Sequence, residues 1–130
     1  MTKQQAAVGS HFSTHYDEVG QFRPDAFSAT PVGRGDHLQA VVVCFEAGQF
    51  IPVHAPSLDL ALVVLEGEGE LALEDRTVVL TQGSVAFVPA GCTRGIRAST
   101  RLKAFQVVGP PPTPADHQGV RAGLQRRSWR

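Results

Sequence analysis

Between Ala26 and Val108 the sequence is a succession of short, β-branched runs, each stopped within a few residues by Gly, Pro, Asp or Ser. Leu38–Phe45 reads LQAVVVCF and Leu60–Leu65 reads LALVVL. Leu71–Leu73, Thr77–Leu80, Val85–Val88, Thr93–Ala98 and Leu102–Val108 follow. Runs of this kind predict strands. The links between them are too short for the crossovers that parallel neighbours need. The expected fold is therefore all-β and antiparallel, a sandwich or a barrel. LALVVL is apolar on both faces. One face can line the interior, and the other must be covered by a second sheet or a second subunit. A homodimer covering that face, or an edge strand at Leu38–Phe45, is the expected assembly.

Length and composition agree with one such domain. The 130 residues are 42% hydrophobic, enough at this size for a core without disulfide or metal staples. Twelve basic and twelve acidic residues cancel, so bulk charge gives no argument for nucleic acid or an anionic membrane as partner. No apolar run approaches the roughly 18 residues of a membrane span, and MTKQQAAVGS lacks the apolar segment of a secretory signal. Cys44 and Cys92 do not make a disulfide framework, although sequence distance alone does not exclude a bridge. A cytoplasmic protein with reduced thiols is expected.

Charge is unevenly distributed. Asp59 to Asp75 holds six acids and no base; Arg94 to Arg130 holds eight bases and one acid, Asp116. Either a solvated acidic hairpin and a basic tail segregate, or the two regions pair within one chain or between subunits. Past Val108 the basic tail has Trp129 as its one aromatic side chain among Phe, Tyr and Trp, and it lacks the interleaved rings of a nucleic-acid surface.

The chain divides into an N-terminal arm (1–25), the β-barrel (26–108), and a Pro-rich linker with a C-terminal helix and tail (109–130). The arm reads as loosely held. Its His11 and His15 would share a face on a helix, but the residues around them are mediocre helix formers, so surface histidines are expected. Gly109-Pro110-Pro111-Pro112 is a stiff spacer. Thr113, Pro114 and Asp116 make a helix start, and Val120 and Leu124 lie one turn apart.

Gly48 to Ala98 resembles the two linked motifs of the cupin superfamily. The first motif runs Gly, five residues, His, any, His, three or four residues, Glu, six residues, Gly. Here Gly48 precedes His54 by that interval, and VLEGEGEL places Gly67 as the closing glycine. The second motif runs Gly, five residues, Pro, any, Gly, two residues, His, and Gly83, Pro89 and Gly91 fall in place. The resemblance implies an antiparallel jelly-roll barrel with tight Gly and Pro corners.

Metal-binding cupins gather two His, one Glu and a further His inside the barrel. Carried over residue by residue, the resemblance keeps only His54. The second His falls on Pro56, the Glu on Leu60 and the last His on Arg94. Imidazole and carboxylate sites need about three protein ligands, and a guanidinium repels a cation in a low-dielectric pocket. No metal cofactor is expected. If a divalent metal binds at all, His54, Asp59 and Cys92 are the conceivable substitutes, although small buried hydrophobes are the commoner fate of cysteines such as Cys44 and Cys92.

The family barrel implies that Leu60, Leu62 and Val64 line the interior on one side. Arg94, Ile96 and Ala98 line it on the other, and His54 enters from the first motif. That is an apolar cavity with one Arg and one His at its polar end, a usual form of ligand site. A buried Arg needs a partner: an internal carboxylate, a backbone carbonyl, or a small anionic ligand. His54 is the candidate acid or base, and no nucleophile elbow or phosphate loop accompanies it. His117 either folds back near the barrel opening or lies at the surface, the surface being expected, and Arg97 and Arg101 are expected outside the pocket or in its adjoining turn. Three functions stay open. One is a metal-free or weakly metal-binding cupin that holds a small, anionic molecule. Another is an enzyme, either oxygenase-like or isomerase-like with substitute metal ligands, or metal-free through His54 and Arg94. The third is an interaction module with a filled barrel.

Overall fold

The computed structural model describes residues 12–130, so His11 and its proposed pairing with His15 lie outside the described residues. Among these described residues nine strands form two antiparallel sheets. They are β1 (Ser28–Arg34), β2 (Gln39–Phe45), β3 (Phe50–His54), β4 (Asp59–Glu66), β5 (Gly69–Ala72), β6 (Thr77–Leu80), β7 (Val85–Val88), β8 (Arg94–Ala98) and β9 (Leu102–Gly109). The first sheet has the order β1-β2-β9-β4-β7 and the second β3-β8-β5-β6. Seven of these strands coincide with the apolar runs of the sequence. The other two, β1 and β3, contain Pro31 and Pro52 and were not anticipated. Proline cannot donate to a ladder and is tolerated at sheet edges, and both strands are edge strands.

Strict alternation on β4 turns Leu60, Leu62 and Val64 inward and leaves Asp59 and Ala61 exposed. With Phe45, Leu71, Leu102 and Ala104 they form one core between the sheets. On the outside of the first sheet, Val85 and Phe87 of the edge strand β7 stay 77% and 64% exposed. They sit opposite Val63 and Ala61 of β4. The apolar outer face expected for LALVVL is thus real, and the described residues leave it uncovered at Val85 and Phe87. Leu38–Phe45 was expected at an edge, but β2 lies between β1 and β9, because the proline-containing β1 pairs outside it.

The expectation of a loosely held arm is corrected over its described part. Tyr16–Glu18 forms a short 3-10 turn, and the Tyr16 carbonyl accepts from Lys103 Nζ at 2.8 Å. Lys103 is only 5% exposed. Gly20 packs so closely that a Cβ there would lie 2.9 Å from Cys44 Sγ. Cys44 therefore faces this arm from β2, whereas Cys92 lies half-buried in the β7–β8 turn.

The C-terminal segment forms a 3-10 turn (Pro114–His117) leading into α1 (Gln118–Arg126). Asp116 Oδ2 accepts from Thr113 N at 2.8 Å and from Thr113 Oγ1 at 3.0 Å, closing the helix start. Helix α1 packs against β3 through glycines rather than through Leu124, which remains 37% exposed. A Cβ on Gly119 would lie 2.9 Å from His54 Cβ, and one on Gly123 would collide with the Pro52 ring. The tail then joins the open edge of β3, where Val53 N donates to the Trp129 carbonyl at 2.6 Å. Arg97 stacks on the Trp129 ring at 4.1 Å. Acidic and basic regions do meet once within the chain, Arg97 Nη2 lying 2.6 Å from Glu70 Oε1. The pair is solvent-facing and worth little energetically. Among the described residues no helix is long and apolar enough to cross a membrane.

Candidate ligand-binding site

One end of the barrel encloses a cavity of about 420 Å³. Strands β3 and β8 deliver its two principal polar groups, since His54 and Arg94 are directly opposed in the antiparallel register. Opposed residues of such a pair project on the same side of the sheet. The corner that carries Arg94 is fastened to the β3–β4 loop. Gly91 N donates to the Pro56 carbonyl at 2.9 Å, and Ala90 N donates to Asp59 Oδ1 at 2.9 Å. Gly91 has φ +80°, which an L side chain rarely adopts.

Arg94 is 4% exposed. Its Nη2 donates to the Pro89 carbonyl at 2.8 Å and its Nε to the Cys92 carbonyl at 3.2 Å. Nη1 is buried and has no hydrogen-bond partner among the described residues. Burial pulls the guanidinium below its usual pKa, opposed by the proximity of Cys92 and Asp59, but an arginine stays protonated. None of the ion pairs among the described residues involves Arg94. His54 Nδ1 lies 2.8 Å from the Pro52 carbonyl. That oxygen only accepts, so Nδ1 is the protonated nitrogen in this contact. Burial is the largest influence on His54 and lowers its pKa, so it is neutral near pH 7. The nearby Arg94 and His117 charges act in the same direction, and the Pro52 and Arg94 carbonyls act against them.

His54, Arg94, Leu60 and Ile96 all line the cavity. Leu62 and Val64 do not. They point inward but are buried in the hydrophobic core away from the cavity. The same holds for Ala98. The substitute metal set is not assembled: Asp59 uses Oδ1 on the Ala90 amide, and Cys92 sits in the turn before β8. No group of three or more His, Cys, Asp or Glu able to hold a metal occurs among the described residues. The family's four ligand positions hold one imidazole, two groups without a donor side chain and one cation, and this donor chemistry does not fit a divalent ion.

Four polar lining residues were missed by the sequence reading: Arg34, Gln39, Gln106 and Asp116. Two of them carried a signal. Gln39 shares a face with Val41 and Val43 on β2, and Gln106 with Ala104 and Val108 on β9, so each is a polar residue in an inward apolar series. Gln39 Oε1 accepts from Arg34 Nη1 at 3.3 Å. His117 is exposed, as expected, yet it borders the cavity, because the close fit of α1 on β3 brings the preceding turn to the mouth. Arg97 and Arg101 lie outside the cavity, the latter 2.8 Å from Glu46.

A family model described as Cupin domain matches residues 41–108. The chain belongs to the cupin family. An RmlC-like cupin from Desulfovibrio desulfuricans is 32% identical, with 78% of this chain and 100% of that chain covered and a TM-score of 0.71. An RmlC-like cupin from Shewanella frigidimarina is 26% identical over 78% of this chain and 92% of its own, with a TM-score of 0.69. The protein TT1209 from Thermus thermophilus, at 23% identity, 77% and 98% coverage and a TM-score of 0.72, shares the fold. No curated protein matches the chain. The cupin jelly roll, two antiparallel sheets with one C-terminal helix, is thereby shown.

Proposed function

We propose that this cupin binds a small anionic molecule in its barrel through Arg94, without a metal cofactor. The observation that carries the reading is the buried guanidinium on the cavity wall whose Nη1 has no partner. A buried charge that is not fully paired is costly, and an anion accepting from Nη1 adds a charge-assisted hydrogen bond. The nearest lining carboxylate, Asp116, is already engaged by Thr113. The open cavity argues against a filled barrel used only as a scaffold.

The test is titration calorimetry of the purified chain, without a His tag, against simple carboxylates and inorganic phosphate. Arg94→Leu should abolish anion binding, a loss of at least about a hundredfold, and leave the thermal transition unchanged or raised, because a buried charge is replaced by an apolar group. Elemental analysis that finds one metal per chain, lost in His54→Ala, overturns the metal-free part of the proposal. One observation favours a second reading. A neutral His54 held by the Pro52 carbonyl, directly across from Arg94, supplies a base beside an anion-binding cation, as a metal-independent isomerase would need. A metal-dependent enzyme built on substitute ligands has the least support, because Asp59 is committed to the Ala90 amide.

A further inference from the structure

We infer that the anion is an amphipathic monocarboxylic acid with an apolar body of about six to ten carbons, and that Val120 of the C-terminal helix sets its length. This rests on the anion-binding reading above and narrows it.

Three features of the cavity point the same way. The first is its lining. Besides Arg94, His54 and the polar Arg34, Gln39, Gln106, Asp116 and His117, the lining holds Phe27, Val41, Ile51, Leu60, Ile96 and, from helix α1, Val120. A fully hydrated anion such as phosphate gains nothing from these walls, whereas a hydrocarbon body is removed from water against them. The second feature is size. At about 30 Å³ of liquid volume per water-sized group, 420 Å³ accommodates roughly 14 such groups, enough for a carboxylate with a medium chain.

The third feature is charge. Arg94 has one nitrogen left to offer, Nη1, since Nε and Nη2 are taken by carbonyls. That suits one carboxylate and leaves the remaining oxygens of a phosphate dianion unmatched. The other lining guanidinium, Arg34, already donates to Gln39, and a second carboxylate on the ligand would meet Asp116, which also lines the cavity. Its own carboxyl is held below the usual range, chiefly by the Thr113 backbone N–H, and so stays ionised.

The helix belongs to this wall by construction. Gly119 and Gly123 let α1 sit directly on the His54 Cβ and the Pro52 ring of β3, and Val120 lines the cavity. A larger residue at 120 should shorten the longest acid that fits.

Titration calorimetry of the full chain with sodium acetate, butanoate, hexanoate and octanoate, inorganic phosphate and the uncharged 1-hexanol tests this. Affinity should rise roughly fourfold per methylene, with acetate and phosphate at least about a hundredfold weaker than octanoate and hexanol weaker than hexanoate. In Val120→Trp the tightest acid should be a shorter one. Ile51→Trp, which fills the wall from β3, provides the same reading should the helix variant fail to fold. If acetate or phosphate binds as tightly as hexanoate, anion binding survives and the amphipathic class is overturned. If no anion binds, both readings fall. If length preference is unchanged in both tryptophan variants, the role of Val120 is overturned.

Discussion

The two ends of this barrel are made from the same strands and have opposite character. At one end β2 reaches Phe45 opposite Leu102, and Val64 pairs with Ala104. These side chains, with Leu71 and Ala98, are almost completely buried. At the other end Gln39 pairs with Val108 and His54 with Arg94, and the cavity opens between them. The first end is filled by complementary aliphatic and aromatic groups. The second carries the polar and cyclic residues Gln39, Pro56 and Arg94, which line the cavity and leave it open. A jelly roll is thus stabilised by one half and left free to bind with the other.

The largest expected effect breaks the filled end. Phe45→Ala should cost about 3–5 kcal/mol in urea unfolding, because it opens a cavity in a packed region. Ile51→Ala on the cavity wall should cost less than about 2 kcal/mol, since it enlarges a space already present. Equal costs would remove the distinction between the ends.

The corners sharpen the contrast. Gly67 and Gly83 have φ of +85° and +89°. A Cβ on Gly67 would collide with the Arg101 carbonyl, while one on Gly83 would meet nothing within 4 Å. Gly67→Ala should therefore lose about 3 kcal/mol or more, and Gly83→Ala only the backbone cost of about 1–2 kcal/mol. Thermal melts of the two variants separate steric from conformational cost.

A smaller effect belongs to the cavity end. The folded-state pKa of His54 lies below its ordinary 6.5, through burial first and then through Arg94 and His117. Below that ordinary value the unfolded chain binds the proton more readily than the folded one. Stability contributed by neutral His54 is therefore present above pH 6.5 and declines as pH falls towards the lower folded value. The slope is at most about 1.4 kcal/mol per pH unit. His54→Gln should flatten that part of the profile, and an unchanged slope would assign it to other groups.

A change on the outer surface should leave both ends intact. The expected homodimer has its best-placed apolar face at Val85 and Phe87. Light scattering at micromolar concentration should give twice the chain mass, and Phe87→Asp should halve it with little change in melting temperature. A monomer for the unmodified chain would count against the dimer.

Local chemistry made much of this legible. Seven strands could be read from β-branched runs, and the corners from glycines that adopt positive φ, because both are properties of residues and near neighbours. The inward aim of Arg94 followed from motif spacing and the two-residue period of a strand. Strands β1 and β3 were hidden because proline speaks against a strand until its place at a sheet edge is known. Leu62 and Val64 were correctly placed inside, but a sequence cannot tell a packed interior from an open one, since that depends on how much volume the opposite sheet supplies.

By itself, then, the sequence determined an antiparallel cupin barrel with a guanidinium where a metal ligand would stand. Tertiary structure alone decided what surrounds that guanidinium. The Pro89 and Cys92 carbonyls occupy two of its nitrogens and leave the third without a partner. Asp116, His117 and Val120 reach the cavity only because Gly119 and Gly123 let α1 sit against β3. These contacts join residues distant in sequence, and they exist only once folding has brought the two surfaces to a common distance.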